Sequence, residues 1–265
     1  MIPRAHIVEW RSTAPWVSDA QIEQDLIICR SIVELFSYEH LKEEIAFRGG
    51  TALHKLYLHP AQRYSEDIDL VQIKAGPAGP LMDAIQEALN PFLGAPNWDN
   101  KENSVNMTYR VQSELPPSTA LRLKVEVDTR EHFTVQGFHR IPFSVTSRWF
   151  TGECTVTTYA LDELLGTKLR ALYQRRKGRD LFDLWLGLKQ GNAEPAAIVS
   201  AFNAYLRTEG LSVTKRDFLS NMTEKMKRRD FLSDTSPILR PGIEYNTSEA
   251  WTTVRDVLLS LLTNH

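Results

Sequence analysis

Asp67 and Asp69 stand two residues apart in the run Arg63-Tyr-Ser-Glu-Asp-Ile-Asp-Leu. In a strand, residues i and i+2 share a face. With Ile68 and Leu70 turned to a core, both carboxylates project the other way, side by side. Adjacent carboxylates repel, and a cation relieves the repulsion. Hard oxygen ligands of this kind suit Mg²⁺, which keeps waters and takes phosphate oxygens for its remaining positions. A solvated Asp-x-Asp on an exposed strand is the competing reading. Glu126 and Asp128 repeat the same spacing on the polar side of the alternating run 121–128. Either one supplies a third carboxylate if the two strands are neighbours. Three acids holding two metals can activate an attacking oxygen and stabilise a leaving phosphate. The alternative for this second pair is an ion pair with Arg122, Lys124 or Arg130.

Two further groups of residues suit phosphate chemistry. Phe47-Arg-Gly-Gly-Thr-Ala-Leu reads as strand, double glycine, helix start. Gly49 and Gly50 let backbone approach a ligand, and the unpaired N–H groups of a helix start point at an anion. Thr51 adds a hydroxyl. A glycine turn can equally be purely structural. Lys168 lies inside the helical stripe Leu161, Leu164, Leu165, Leu169 and Leu172. A buried lysine stem with its head emerging into a cleft places a cation on phosphates. Asp183 sits among Leu181, Phe182, Leu184 and Trp185, where a carboxylate needs a partner. An internal salt bridge with Arg179 or Lys168 is the structural alternative. Asp180 is a candidate for the same role or a helix N-cap.

These residues need elements to hold them. Ser18 reads as the N-cap of a helix over 19–38, and a shorter helix is expected around Leu41. The opening residues read as irregular, with Pro3 and Pro15 as breakers. Strands are expected at 45–47 and 67–73, with a helix at 51–58 between them and another at 81–93. Residues 104–131 read as a strand pair around Pro116–Pro117. Leu121, Leu123, Val125 and Val127 form one face there, and Arg122, Lys124, Glu126 and Asp128 the other. More strand character surrounds 143–145 and 155–157. From Leu161 the pattern is helical, with breaks at Gly178, Gly191, Pro195, Gly210 and 237–241. The expected layout is therefore a mixed part over 1–158 and a helical part over 159–265.

The bulk properties are ordinary. The chain has 265 residues, 42% hydrophobic and 24% charged, with net charge −2. Such a composition excludes disordered, collagen-like and coiled-coil chains. Cys29 and Cys154 make no disulfide framework or zinc motif. With no long apolar run and no signal-like start, the expectation is a soluble cytoplasmic protein without a membrane segment. Lys168, Arg170, Arg175, Arg176, Lys177 and Arg179 form an acid-free basic run up to Arg179. Such a patch can guide RNA phosphates despite the neutral total. A second cluster, Lys225, Lys227, Arg228 and Arg229, reads as a solvated face.

Together, GGTAL, RYSEDIDL, LKVEVDTRE and ELLGTKLRALYQRRKGRDLFDLW, in that order across residues 45–186, resemble the AbiEii/MenT family of bacterial nucleotidyltransferase-like toxins. That family lies in the DNA polymerase β-type nucleotidyltransferase superfamily. The resemblance implies an α+β fold: a small mixed β-sheet nucleotidyltransferase core flanked by helices, then an all-helical C-terminal domain, with the active site in the cleft between. It implies transfer of a nucleoside monophosphate from an NTP, with Mg²⁺ at a two-metal site and release of pyrophosphate. It implies an RNA acceptor, notably the 3′ end of tRNA, and an AbiEi-type antitoxin encoded alongside. Asp67 and Asp69 match the family's metal-binding pair, and Gly49, Gly50 and Thr51 its phosphate-binding turn. The superfamily usually has Gly-Ser where this chain has Gly-Gly-Thr. Lys168 matches the lysine that contacts the triphosphate, and Asp183 the later aspartate. Ser65 matches a serine beside the nucleotide that is a regulatory phosphorylation site in some relatives. Glu126 and Asp128 compete for the third carboxylate. A metal-dependent nuclease or phosphohydrolase, and a non-catalytic nucleotide- or RNA-binding module, are the alternatives on the same residues.

Overall fold

A seven-stranded mixed sheet and its covering helices build the first of two compact units. The computed structural model describes residues 2–100, 104–116 and 118–263. The first unit is Met1–Thr134 with Phe138–Tyr159, and the second is Val135–Gly137 with Ala160–His265. In chain order the first unit holds α1 (Arg4–Trp10), α2 (Asp19–Ser37), β1 (Ile45–Arg48), α3 (Gly49–Ala52) and β2 (Asp67–Gln72). Then come α4 (Ala78–Leu93), β3 (Asn97–Asn100), β4 (Ser104–Gln112), β5 (Ala120–Asp128), β6 (Phe138–Thr146) and β7 (Thr151–Tyr159). The strand order is β3-β4-β5-β2-β1-β7-β6. β2 runs parallel to β5, and β1 parallel to β7; the remaining pairs are antiparallel.

The strand that matters most is the one with the strictest alternation. Leu121, Leu123, Val125 and Val127 of β5 are all buried, while Arg122, Lys124, Glu126 and Asp128 are exposed or half-buried. Each such buried aliphatic side chain contributes roughly 1.5–3 kcal/mol relative to exposure. A one-residue slip would turn all four to water, so the register is strongly fixed. Ile68 and Leu70 of β2 join this apolar face. Helix α2 packs on β5, β6 and β7, and on α4. Its start is a capping box: Ser18 accepts from the Gln21 N–H, and the Gln21 side chain accepts from the Ser18 N–H. Gln24 on α2 donates to the carbonyls of Glu66 (3.1 Å) and Arg122 (2.9 Å). It thereby ties together the entries of β2 and β5.

Asp25 is a buried hub one residue further on. Its carboxylate accepts from the indole N–H groups of Trp10 (3.0 Å) and Trp16 (2.9 Å), and from Lys55 Nζ (2.7 Å). Lys55 Nζ also lies 3.2 Å from Cys29 Sγ. Burial alone lowers the Lys55 pKa, but Asp25 outweighs it and holds the amine charged. Burial likewise pushes the Cys29 thiol up to about 12, so it stays protonated beside the ion pair.

In the second unit every described α-element follows Ala160: α5 (Leu161–Gln174), α6 (Gly178–Gln190), α7 (Pro195–Thr208), α8 (Lys215–Lys225), α9 (Arg229–Ser233) and α10 (Thr247–Val257). α5 packs on α6 and α7. Gly166 makes the second contact close, since a Cβ there would stand 2.6 Å from Ala201 Cβ. Residues 135–137 belong to this unit because Glu163 binds them. Its fully buried carboxylate accepts from the N–H of Val135 (2.8 Å) and of Gln136 (2.9 Å), and from Tyr205 Oη (2.8 Å).

Several sequence expectations need correction. The opening residues form α1, because Pro3 occupies a helix start, where proline costs nothing. The helix expected at Leu41 is a run of turns, too short between α2 and β1 to nucleate. The helix expected over 51–58 begins at Gly49 and widens into a π-turn over Leu53–Tyr57. β3 lacks alternation and forms by pairing with β4. α5 ends at Gln174, and Gly178 opens α6 rather than closing α5. Of the turn expected at Pro116–Pro117, Pro117 lies outside the described residues.

Candidate active site

Parallel pairing of β2 with β5 sets the site. Its register places Asp67 opposite Lys124 and Asp69 opposite Glu126. All four side chains are half-buried and alternate with buried apolar residues on their strands. Two aspartates and one glutamate therefore share a sheet face with one lysine. Lys124 forms an ion pair with Glu126 on its own strand. Burial pushes the Lys124 pKa down, but Glu126, with Asp67 and Asp69 beyond it, outweighs this and raises it. The donor set is all carboxylate oxygen, the chemistry that Mg²⁺ takes. Among the described residues, no three acid, histidine or cysteine side chains have already converged on one point.

The glycine turn meets this face directly. Gly49 has φ +79, a left-handed backbone that disfavours side chains, and a Cβ there would overlap Asp69 Oδ2. A Cβ on Gly50 would overlap the guanidinium of Arg63, itself buried and donating to the Tyr64 carbonyl (2.9 Å). Space requires glycine at both positions, and at Gly49 the backbone conformation requires it too. Thr51 is fully buried. Its hydroxyl lies 2.8 Å from Ser65 Oγ and donates to the Asp67 carbonyl. Thr51 therefore locks the turn to β2, and what the turn offers an anion is backbone N–H, since helix starts leave these unpaired. Gly49→Ala is expected to distort Asp69 and the turn together. Divalent-metal affinity should fall by about tenfold or more, and thermal stability by about 1–2 kcal/mol for the left-handed strain. Calorimetric titration with Mn²⁺ and a melting curve check both.

The competition for the third carboxylate has a geometric answer. Asp128 lies opposite Val71, two pairs beyond Asp69 and Glu126 and so on the same face. Its Oδ2 accepts from Arg48 Nη2 (2.9 Å), and its Oδ1 accepts from the N–H groups of Arg130 and Glu131, each at 2.9 Å. Glu131 completes the grip on Arg48. Arg48 is half-buried, and loss of water lowers its pKa, but the two acids outweigh this and hold it charged. Asp128 is thereby a structural partner for the residue that precedes the glycine turn, and Glu126 is the acid beside Asp69.

In the second unit, the expectation of a lysine head emerging from the apolar stripe needs correction. The Lys168 side chain is 7% exposed. Its Nζ lies 3.2 Å from Asp180 Oδ1 and 2.9 Å from Asp183 Oδ2. Both aspartates are fully buried on α6. Asp180 is not an N-cap: Arg175 grips it through two bonds, at 2.7 and 2.8 Å. Burial raises its pKa, but Lys168 and Arg175 prevail and hold the carboxyl below its ordinary range.

The basic run is largely neutralised as well. Arg170 meets Glu209 (2.8 Å), and Lys177 and Arg179 both meet Asp234 (3.8 and 3.3 Å). Residues 175–177 lie between helices rather than on one. Among the described residues, Arg176 is the member of the run left without a carboxylate. In the second cluster, Lys225 caps the end of α5 by donating to the carbonyls of Leu172 and Tyr173.

Sequence reasoning passed over Arg63, Arg48 and the Asp25 hub. Buried Arg63 carried a signal in its position, four residues before Asp67.

A carboxylate-bearing mixed sheet met by a glycine turn is the architecture of a nucleotidyltransferase. Residues 30–256 match the family described as nucleotidyl transferase AbiEii toxin, Type IV TA system, and the chain belongs to that family. Membership implies an NTP substrate and an antitoxin partner. The fold is similar to that of MenT4, a nucleotidyltransferase toxin of Mycobacterium tuberculosis H37Rv. There the TM-score is 0.66 at 14% identity, over 99% of this chain and 91% of that one. A putative nucleotidyltransferase from H. pylori gives a TM-score of 0.56 at 16% identity, over 92% and 96% of the two chains. JHP933 from Helicobacter pylori gives 0.54 at 16% identity, over 92% and 93%. No curated protein matches the sequence. No described helix is long and apolar enough to cross a membrane.

Proposed function

We propose that the protein transfers a nucleoside monophosphate from an NTP to the 3′ end of an RNA, most favourably tRNA, releasing pyrophosphate and so halting translation and growth. The observation that carries this reading is the register that sets Asp69 beside Glu126, with Gly49 making room for Asp69. Asp67, Asp69 and Glu126 are the residues to hold Mg²⁺. When bound, the metal neutralises charge developing on the reacting phosphate. The chain's own work is positioning. The N–H groups of the glycine turn hold phosphate oxygens, and fixed orientation lowers the barrier to attack by the RNA hydroxyl. The tRNA acceptor, the AbiEi-type antitoxin and the cytoplasmic setting follow from the family resemblance and belong to the same proposal. So does a distinct helical domain, with Arg176 as its RNA contact.

Lys168 and Asp183 form the second part of the proposal, as the cation for the triphosphate and the acid that keeps it placed. Lys168→Ala and Asp183→Asn are expected to lower transfer by about a hundredfold or more. A purely structural pair would lower stability and leave the activity of the folded fraction intact, which urea denaturation and specific activity distinguish. The function itself is tested by sequencing tRNA 3′ ends from cells expressing the protein. Added nucleotides that disappear with Asp67→Ala support the reading. Growth arrest with unaltered tRNA and other RNA ends would overturn it.

A further inference from the structure

We infer that Lys124 is a tethered counter-ion for the carboxylate cluster, which a divalent metal must displace, so that this side chain sets the metal affinity of the site. The inference rests on the metal reading of Asp67, Asp69 and Glu126.

Four residues form a two-by-two block on the sheet: Asp67 beside Lys124, and Asp69 beside Glu126. Lys124 and Glu126 are i, i+2 on β5, so they share a face, and they are ion-paired. Three half-buried carboxylates at neighbouring positions repel, and Lys124 is a cation that the fold places beside them. Its long flexible stem lets it move without any change of backbone. With both side chains 32% exposed, the pair is open to water and to exchange. Lys124 holds Glu126 through Oε2, and a metal taking that oxygen competes with the ammonium for it. The acids have not converged on one point while Lys124 holds Glu126. A divalent ion that draws Glu126 towards Asp67 and Asp69 therefore has to break this pair first. The lysine offsets the repulsion among the acids and weakens their hold on the metal.

The test is Mn²⁺ binding to the whole protein without nucleotide, by calorimetry or electron paramagnetic resonance. Lys124→Met is expected to bind Mn²⁺ about fivefold to tenfold more tightly than wild type, the scale of a half-exposed ion pair. Lys124→Arg keeps the charge and should bind as wild type does. The Met variant should also melt lower than wild type without metal and recover when Mn²⁺ is added. Unchanged or weaker Mn²⁺ binding by folded Lys124→Met would overturn the inference, while loss of binding in Asp69→Asn kept the metal reading intact. If wild type, Lys124→Met and Asp69→Asn all fail to bind Mn²⁺, the metal reading falls and the inference with it.

Discussion

Replacing Asp69 with asparagine is expected to lower nucleotide transfer by about a thousandfold while leaving the protein folded. The two effects part because the chemistry depends on this charge far more than the fold does. A metal supplies several kcal/mol of charge stabilisation at a reacting phosphate, and each ~1.4 kcal/mol is tenfold in rate. Asparagine keeps the shape that Gly49 accommodates, but its amide is a poor ligand for a hard cation. In the metal-free protein, Asp69 faces Glu126 and shares a strand face with Asp67, with the Lys124 cation close by. Removing that charge relieves repulsion from the two acids and loses attraction to Lys124, so the melting temperature should change little. Specific activity with a labelled NTP and a melting curve read the two effects separately. A folded Asp69→Asn variant with near-wild-type transfer would remove the aspartate from the chemistry.

The second large effect concerns folding. Asp25→Ala strips the carboxylate partner from a partly buried ammonium and two buried indole N–H groups at once. An uncompensated buried charge costs about 3–5 kcal/mol, and each orphaned donor about 1–3 kcal/mol. That sum is comparable to the whole stability of many domains, and the alanine variant is expected to unfold or to be purified in low yield. Asp25→Asn keeps two acceptor lone pairs on one oxygen and loses the charge, so it should fold with lowered stability. Adding Lys55→Met to Asp25→Asn removes the stranded charge and should recover part of the loss. The double-mutant cycle in urea then reports the coupling of Asp25 with Lys55. An alanine variant within about 1 kcal/mol of wild type would show that the hub does not hold the N-terminal helices and the glycine-turn helix together.

The sequence disclosed local periodicity and concealed what depends on pairing. Alternation in 121–128 made β5 legible, and with it the face on which Glu126 and Asp128 lie. The period does not say which strand is its neighbour, and that is what separates the two acids. The parallel pairing with β2 puts Glu126 beside Asp69, while Arg48, from a third strand, takes Asp128. The glycine turn was legible because glycines are scarce and its context was strand then helix. The direction of the Thr51 hydroxyl was not, because it turns on Ser65 and on the Asp67 carbonyl, across the loop. The basic run looked unopposed since its acids, Asp180, Glu209 and Asp234, come from later positions. Helical spacing put Lys168 on the apolar stripe, but two aspartates one turn apart on the next helix decide where its head is held.

The central claim is that the Asp67–Asp69–Glu126 face transfers nucleoside monophosphate to RNA. It is tested most directly by incubating the purified protein with Mg²⁺, total bacterial RNA and each α-³²P-labelled NTP in turn. Label entering RNA from one NTP, with stoichiometric pyrophosphate release and loss of both in Asp69→Asn, is the expected result. Intact RNA without label from any NTP, or label undiminished in Asp69→Asn, would contradict it.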